Sequence, residues 1–165
     1  MIKILDKLKN QMKNQFNIYD NYKVDNYNFD FMGEYILTNS KYFLTKDKVV
    51  WGYENREYVF VKSLPQISNE YINNEIIPFS NVAMEKVVNP NKEHMSTHIT
   101  LFLSSENINK DLKNQIKRYK NRRSYKFGFN GFSSLRVILF NPSTKELFYN
   151  REAKDVINFY KEVLR

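Results

Sequence analysis

A single α+β domain, with a mixed β-sheet flanked by helices, is what this chain predicts, and three observations carry that expectation. At 165 residues the chain can bury roughly 70% of the surface that its unfolded form would expose, in one core. Hydrophobic residues make up 42% and aromatic residues 16%, a globular composition. Stretches in which apolar residues recur at helical spacing alternate with stretches of period two, and no repeat, linker or low-complexity segment divides residues 1–165.

Taken in order, Ile4, Leu5, Leu8, Met12 and Phe16 recur at helical spacing among Lys and Asn, so an amphipathic helix is expected from Ile2 to Phe16. From Tyr27 the period changes to two. Phe29, Phe31, Gly33, Tyr35 and Leu37 then share one face of a strand, while Asn28, Asp30, Met32, Glu34 and Ile36 share the other. Thr38 to Lys41 reads as a turn, and Tyr42 to Tyr53 as a second strand with a bulge or break at Lys46-Asp47-Lys48. Asn55-Arg56 is the expected turn into a third strand, Tyr58 to Lys62, which sets Tyr53 opposite Tyr58 and Trp51 opposite Phe60. Ser68 caps a helix running to Val88 with Ile72, Ile76, Phe79, Ala83 and Val87 inward, and Pro78 is expected to kink or split it. Thr97 to Ser104 is a short apolar strand. A basic helix follows from Asn109 to Asn121, with Leu112, Ile116 and Tyr119 as its apolar stripe. Ser134 to Phe140 and Glu146 to Asn150 are strands joined by the loop Asn141-Pro142-Ser143-Thr144-Lys145. Asn150 then caps a closing helix that buries Ala153, Val156, Ile157, Tyr160 and Leu164.

The first two-thirds of the chain therefore run α-β-β-β-α-β, the order of the restriction-endonuclease-like core. Such nucleases carry an acid on the second strand and Glu-x-Lys or Asp-x-Lys on the third, because a spacing of two puts both side chains on one face beside a metal. Here the third strand ends Phe60-Val61-Lys62, with phenylalanine where the acid is needed. Glu57, five residues from Lys62, faces the other way. The order fits that core, but its cleavage motif is missing.

The formal net charge is +8, and the stretch from Lys110 to Lys126, KDLKNQIKRYKNRRSYK, holds eight Lys and Arg residues against one acid, Asp111. Heavy use of Lys, Asn, Ile, Tyr and Phe is what AT-rich codons supply, which discounts the overall charge but not its clustering. Two readings follow. In one, Lys113, Lys117, Arg118, Lys120, Arg122, Arg123 and Lys126 neutralise nucleic-acid phosphates while Tyr119 or Tyr125 stacks on a base. In the other, the same residues form a solvated face or dock an acidic protein surface. Phe127-Gly128-Phe129 after Lys126 partly resembles the aromatic platform of an RNA-recognition motif. However, the glycine expected after the basic residue is missing, and Asn130 stands where an aliphatic belongs. Gly128 and Gly131 are instead expected to permit a bend or bulge, with the phenylalanines packed in the core.

The absence of cysteine excludes disulfides, thiolate metal sites and a cysteine nucleophile. There is no Walker loop, GxSxG, HExxH or dinucleotide fingerprint. No apolar run is long enough to span a membrane and the amino terminus lacks a signal-peptide pattern, so a soluble cytoplasmic protein is expected. His94 and His98 would share a face on a helix, but on a strand they stand about 13 Å apart. No metal and no cofactor is therefore expected. His94 reads as a hydrogen-bonding or general-base residue, or as a satisfied structural histidine. Glu54 and Glu57, neighbours across the expected turn, read as a divalent-ion site or as a solvated hairpin tip.

At Trp51-Gly-Tyr-Glu-Asn with Glu57-Tyr-Val-Phe, at Glu93-His94-Met95-Ser96-Thr97, at Tyr125-Lys126-Phe127-Gly128-Phe129 and at Tyr149-Asn150-Arg151, the chain resembles a family of small uncharacterised bacterial proteins carrying a domain of unknown function. That resemblance covers most of the chain. It implies an aromatic at the position of His98, and no known activity. From the residues themselves the leading expectation is a non-catalytic binding or interaction protein with a basic surface. The alternative is an enzyme, such as a divergent nuclease-like fold without Glu-x-Lys, whose site draws on Glu54, Glu57, His94, Lys126 and Arg151.

Overall fold

Helix α1 (Ile2–Met12) opens the chain as its spacing dictates and buries Leu5, Leu8 and Met12. It ends in a turn before Phe16. The protein is seen here as a computed structural model that describes residues 2–42, 49–109 and 111–165. After α1 come β1 (Asn17–Asp20), a small hairpin of β2 (Lys23–Val24) and β3 (Tyr27–Asn28), and the long strands β4 (Phe31–Tyr42) and β5 (Val49–Ser63). The period-two pattern from Tyr27 therefore divides between β3 and β4.

Neither expected turn is present. Thr38 to Lys41 stay in β4, in register with Glu54 to Trp51 of β5. Asn55 and Arg56 lie within β5, beside Leu37 and Ile36 of β4 on one side and Ser96 and Thr97 of β6 on the other. The physical reason is that a two-residue hairpin turn needs positive φ at its centre, which Asn-Arg serves poorly, whereas two full ladders reward an extended chain. Tyr53 is consequently opposite Asn39, Tyr58 opposite Glu34, Trp51 opposite Lys41 and Phe60 opposite Met32. The expected break at Lys46-Asp47-Lys48 lies outside the described residues.

Ser68 accepts a hydrogen bond from the Tyr71 N–H (3.2 Å) and starts the helix labelled α2. It runs without a split through Asn69–Tyr71, a π-helical segment Ile72–Ile76 and Ile77–Lys86. The π turn sends the Ile77 N–H to the Ile72 carbonyl, so the donor that Pro78 lacks falls where the wider turn hands over to the α segment. Strand β6 (His94–Ser104) and helix α3 (Leu112–Arg118) follow. Helix α3 is shorter than the expected 109–121, because Tyr119 adopts an extended backbone and the next residues bond elsewhere. The Tyr119 hydroxyl meets Ser80 Oγ (2.7 Å), Asn121 Nδ2 donates to Ser80 Oγ (2.8 Å), and the Asn121 carbonyl accepts from the Leu135 N–H (2.9 Å). The chain then continues through β7 (Arg122–Ser124), β8 (Phe132–Asn141), β9 (Glu146–Tyr149), a 3₁₀ turn (Arg151–Ala153) and α4 (Ile157–Val163).

The main sheet is ordered β1-β4-β5-β6-β8, with β7 and β9 both pairing β8. Strands β1, β4 and β5 form an antiparallel meander, and β5, β6 and β8 run parallel. The opening order α-β-β-β-α-β fits roughly on this sheet, with the unforeseen β1 as its first strand and the expected second and third strands falling together in β5. Alternation along the strands makes two cores. Phe60, Ile99, Leu101, Leu135 and Val137 meet α2 and α3 through Ile72, Phe79, Leu112 and Ile116. Val59, Val61, Phe102, Ile138 and Phe140 meet α1 and α4 through Leu8, Met12, Ile157 and Tyr160. No helix among the described residues is long and apolar enough to cross a membrane.

Candidate functional site

Helix α3 buries Leu112 and Ile116, so Lys113 and Lys117, four apart, share its exposed side. In the loop after β8, Asn141 Oδ1 accepts from the Ser143 and Thr144 N–H groups (2.9 and 3.1 Å) and Lys145 takes φ 62°, a turn that carries Lys145 back over the edge of the sheet. Beyond β9, burial of Ala153, Ile157, Tyr160 and Leu164 leaves Arg151, Lys154 and Lys161 on the opposite side of the chain's last segment. These three groups of cations line one open groove of about 600 Å³ together with Leu147, Phe148 and Tyr149. Sharing Lys117 and Arg151, the groove continues into a depression lined by Arg118, Tyr119, Lys120 and Arg122. Sharing Lys145 and Lys161, it continues the other way to Arg165. Among the described residues lining all three, Glu152 is the single acid.

Two buried polar side chains hold the halves together. Asn150, fully buried, does not cap the closing helix as expected. Its Oδ1 accepts from the Val137 N–H (3.0 Å), and its Nδ2 donates to the carbonyls of Leu135 (2.9 Å) and Tyr119 (3.2 Å). The end of α3, the centre of β8 and the turn to Arg151 are thereby pinned to one another. Arg136, 3% exposed, reaches from β8 to Glu57 Oε1 (2.8 Å), Asp155 Oδ2 (2.8 Å) and the Glu152 carbonyl (3.2 Å). That fixes the Arg151–Ala153 turn against the sheet. Burial pushes the Glu57 carboxyl up, and the neighbouring Arg136 works against that rise. His98 Nδ1 bonds to Ser134 Oγ (2.8 Å). Burial first, then Arg136, lowers this imidazole to about 4, so it is neutral at pH 7.

Of the residues considered for catalysis, Glu54 and His94 are register partners on β5 and β6, on the α2 and α3 side of the sheet, whereas Glu57 lies on the other side. Glu54 and Glu57 are three apart on one strand and therefore face opposite ways, not each other across a turn. Glu54 pairs with Arg56 and Glu57 with Arg136. His94 is buried, its ring nitrogens bonded to Thr97 Oγ1 (2.8 Å) and the Asn130 carbonyl (2.6 Å). It lies edge-on to Tyr125, on the α2 and α3 side of the sheet, whereas Glu57 alternates with Val59 and Val61 on the α1 and α4 side. Arg151 lines the groove. Among the described residues no three His, Asp or Glu side chains stand together as a metal site would require.

Of the cations in the basic stretch, Lys113, Lys117, Arg118, Lys120 and Arg122 line the groove. Arg122 lies 4.0 Å over the Phe132 ring. Strand alternation turns Arg123 to the other face, where it donates to Asn81 Oδ1 (3.1 Å) and pairs with Glu85 (3.8 Å). Lys126 starts a 3₁₀ turn, Lys126–Gly128, in the loop between β7 and β8. The expectation that its phenylalanines pack in the core fails: Phe127 is fully exposed and Phe129 is 87% exposed. Strands β7 and β8 stay paired up to Ser124 and Phe132, so the residues between them project beyond the sheet. Sequence alone did not point to Lys145, Lys154 or Lys161. The available signal was the spacing of Arg151, Lys154 and Lys161, which keeps them off the apolar stripe.

Residues 1–162 match the model of a family described as a domain of unknown function, DUF8052. No curated protein and no solved structure matches the chain.

Proposed function

We propose that this chain, which belongs to the DUF8052 family, is a non-catalytic binding protein whose groove holds the phosphate backbone of a nucleic acid. The observation that carries the reading is the convergence of cations from α3, β7, the β8–β9 turn and the closing segment on one groove with one acid. Like charges so gathered repel one another, and an anionic ligand relieves that repulsion. The cations are strung along three connected depressions and do not close on a point, an arrangement suited to a polymer of phosphates. The apolar lining from Leu147 and Phe148 gives room for sugar or base. Glu54, Glu57 and His94 are each taken up by a neighbour, and Glu57 faces the opposite side of the sheet from Glu54 and His94, which favours binding over catalysis.

The test is fluorescence anisotropy with mixed-sequence oligonucleotides as salt rises from about 50 to about 200 mM. Log affinity for a single strand is expected to fall linearly with log salt at about 0.7 per phosphate contacted, a slope near 3.5 for about five contacts. Little sequence preference is expected, because phosphate contacts position a protein without reading bases. Exchanging Lys117, Arg151 and Lys154 for Gln should lower the slope by about 2 and leave the far-UV spectrum unchanged. If the protein binds no nucleic acid at about 50 mM salt, where exposed charges act most strongly, the reading falls and the groove is left to an acidic protein surface.

A further inference from the structure

We infer that loop 125–131 is a base-stacking wedge: Phe127 and Phe129 stack on unpaired bases of a single-stranded nucleic acid whose backbone runs through the groove. This rests on the proposed function above.

Four observations support it. First, two phenylalanine rings two residues apart stand exposed at the end of the sheet, a costly arrangement for rings that meet nothing. Second, the loop is built to hold them there. Tyr125 donates its N–H to the Gly131 carbonyl (3.0 Å) and accepts from the N–H groups of Gly128 (2.9 Å) and Asn130 (3.1 Å). Asn130 Nδ2 donates to the Pro90 carbonyl (2.7 Å) and the Asn130 carbonyl is held by His94. Gly131 sits at φ +70° against the Met95 backbone, where a Cβ would stand 2.1 Å from the carbonyl oxygen. His94, a candidate base from sequence, is thus an anchor of this loop. Third, Lys126 and Phe127 take successive left-handed backbone angles, φ 47° and 55°. Non-glycine residues pay for that conformation, and it persists where surrounding structure enforces it, which is characteristic of binding loops. Fourth, the loop follows a groove-lining residue closely along the chain. Arg122 lines the groove three residues before Tyr125, a distance of about 10 Å along a strand, and residues 120–131 contain no acid.

Cations followed by exposed rings are the composition of a single-strand platform, in which a groove tracks phosphates and aromatic faces take bases of any sequence. A lipid surface offers exposed rings a partner too, but a flat bilayer does not enter the groove lined by Arg122 and the other cations.

The experiment compares wild type with the Phe127→Ala/Phe129→Ala variant on three probes: oligothymidylate, an abasic strand of equal length, and phosphatidylglycerol vesicles. Neither ring is buried, so the variant's melting temperature should match wild type. Its affinity for oligothymidylate should drop about 5-fold or more per ring, the low end of base stacking on an aromatic, with the salt slope unchanged. The abasic strand should bind both proteins equally. A Phe129→Trp variant should lose fluorescence on adding oligothymidylate and keep it with the abasic strand. Unchanged oligothymidylate affinity in the double variant, with the wild-type salt slope intact, overturns the wedge and leaves the groove reading standing. Loss of vesicle binding alone overturns it in favour of a lipid contact. Absence of wild-type binding to any strand removes both readings.

Discussion

His98 shows at a single residue how a sheet interior changes a titration. In the unfolded chain its imidazole protonates near the usual value, about 6.5, while in the fold burial and Arg136 hold it to about 4. Between those values the unfolded chain binds the extra proton. Folding stability contributed by neutral His98 is therefore fully present above about 6.5 and is lost as pH falls towards about 4, at no more than about 1.4 kcal/mol per pH unit. Glu57 acts in the opposite sense: its raised carboxyl takes up a proton in the fold first and offsets part of the loss. Urea unfolding of wild type and His98→Gln across this range should show the wild type losing stability faster on acidification. Parallel curves would mean that His98 does not feel its burial.

Among elements, the docking of the closing segment on the sheet is decided by Arg136 and Asn150, and neither lies on an apolar stripe. Arg136→Met leaves the partly buried Glu57 carboxyl without its cation and should cost about 1 to 3 kcal/mol, the usual loss when a buried polar partner is removed. Adding Glu57→Gln to that variant should recover part of the loss, because the unpaired charge is gone. Asn150→Ala leaves the Val137 N–H without its partner and should cost about 1 to 3 kcal/mol. Denaturant midpoints read all three, and a loss under about 1 kcal/mol for Arg136→Met would show that the closing segment docks without it.

For the whole molecule, the gathered cations make folding sensitive to anions. If nucleic acid binds only the folded chain, a single strand at about 100 times its dissociation constant adds about 2.7 kcal/mol. For a chain of this length that raises Tm by roughly 5 to 10 °C. Raising salt without ligand should also increase Tm, by screening the groove, and the increment from ligand should shrink as salt rises. Scanning fluorimetry over a grid of salt and oligonucleotide checks both. A Tm indifferent to oligonucleotide at low salt would contradict the reading.

Properties that depend on neighbours along the chain are legible in the sequence. The apolar stripe Leu5, Leu8 and Met12, the inward face Ile72, Ile76, Phe79 and Ala83, the Ser68 cap and the buried positions Ile157, Tyr160 and Leu164 are all written in spacing, and the order of the helices followed from them. The basic stretch was equally legible as a concentration of charge. Which strand residues meet depends instead on contacts between distant parts of the chain. Asn55-Arg56 reads as a turn until β6 offers β5 a second ladder, and Phe127 and Phe129 read as core until β7 and β8 pair up to their base and push the loop outward. The groove belongs to the same class. Lys113 and Lys117 are brought beside Arg151, Lys154 and Lys161 by a parallel sheet, an edge hairpin and the bonds of Asn150 and Arg136, and contacts between residues tens of positions apart leave no periodic trace in the chain.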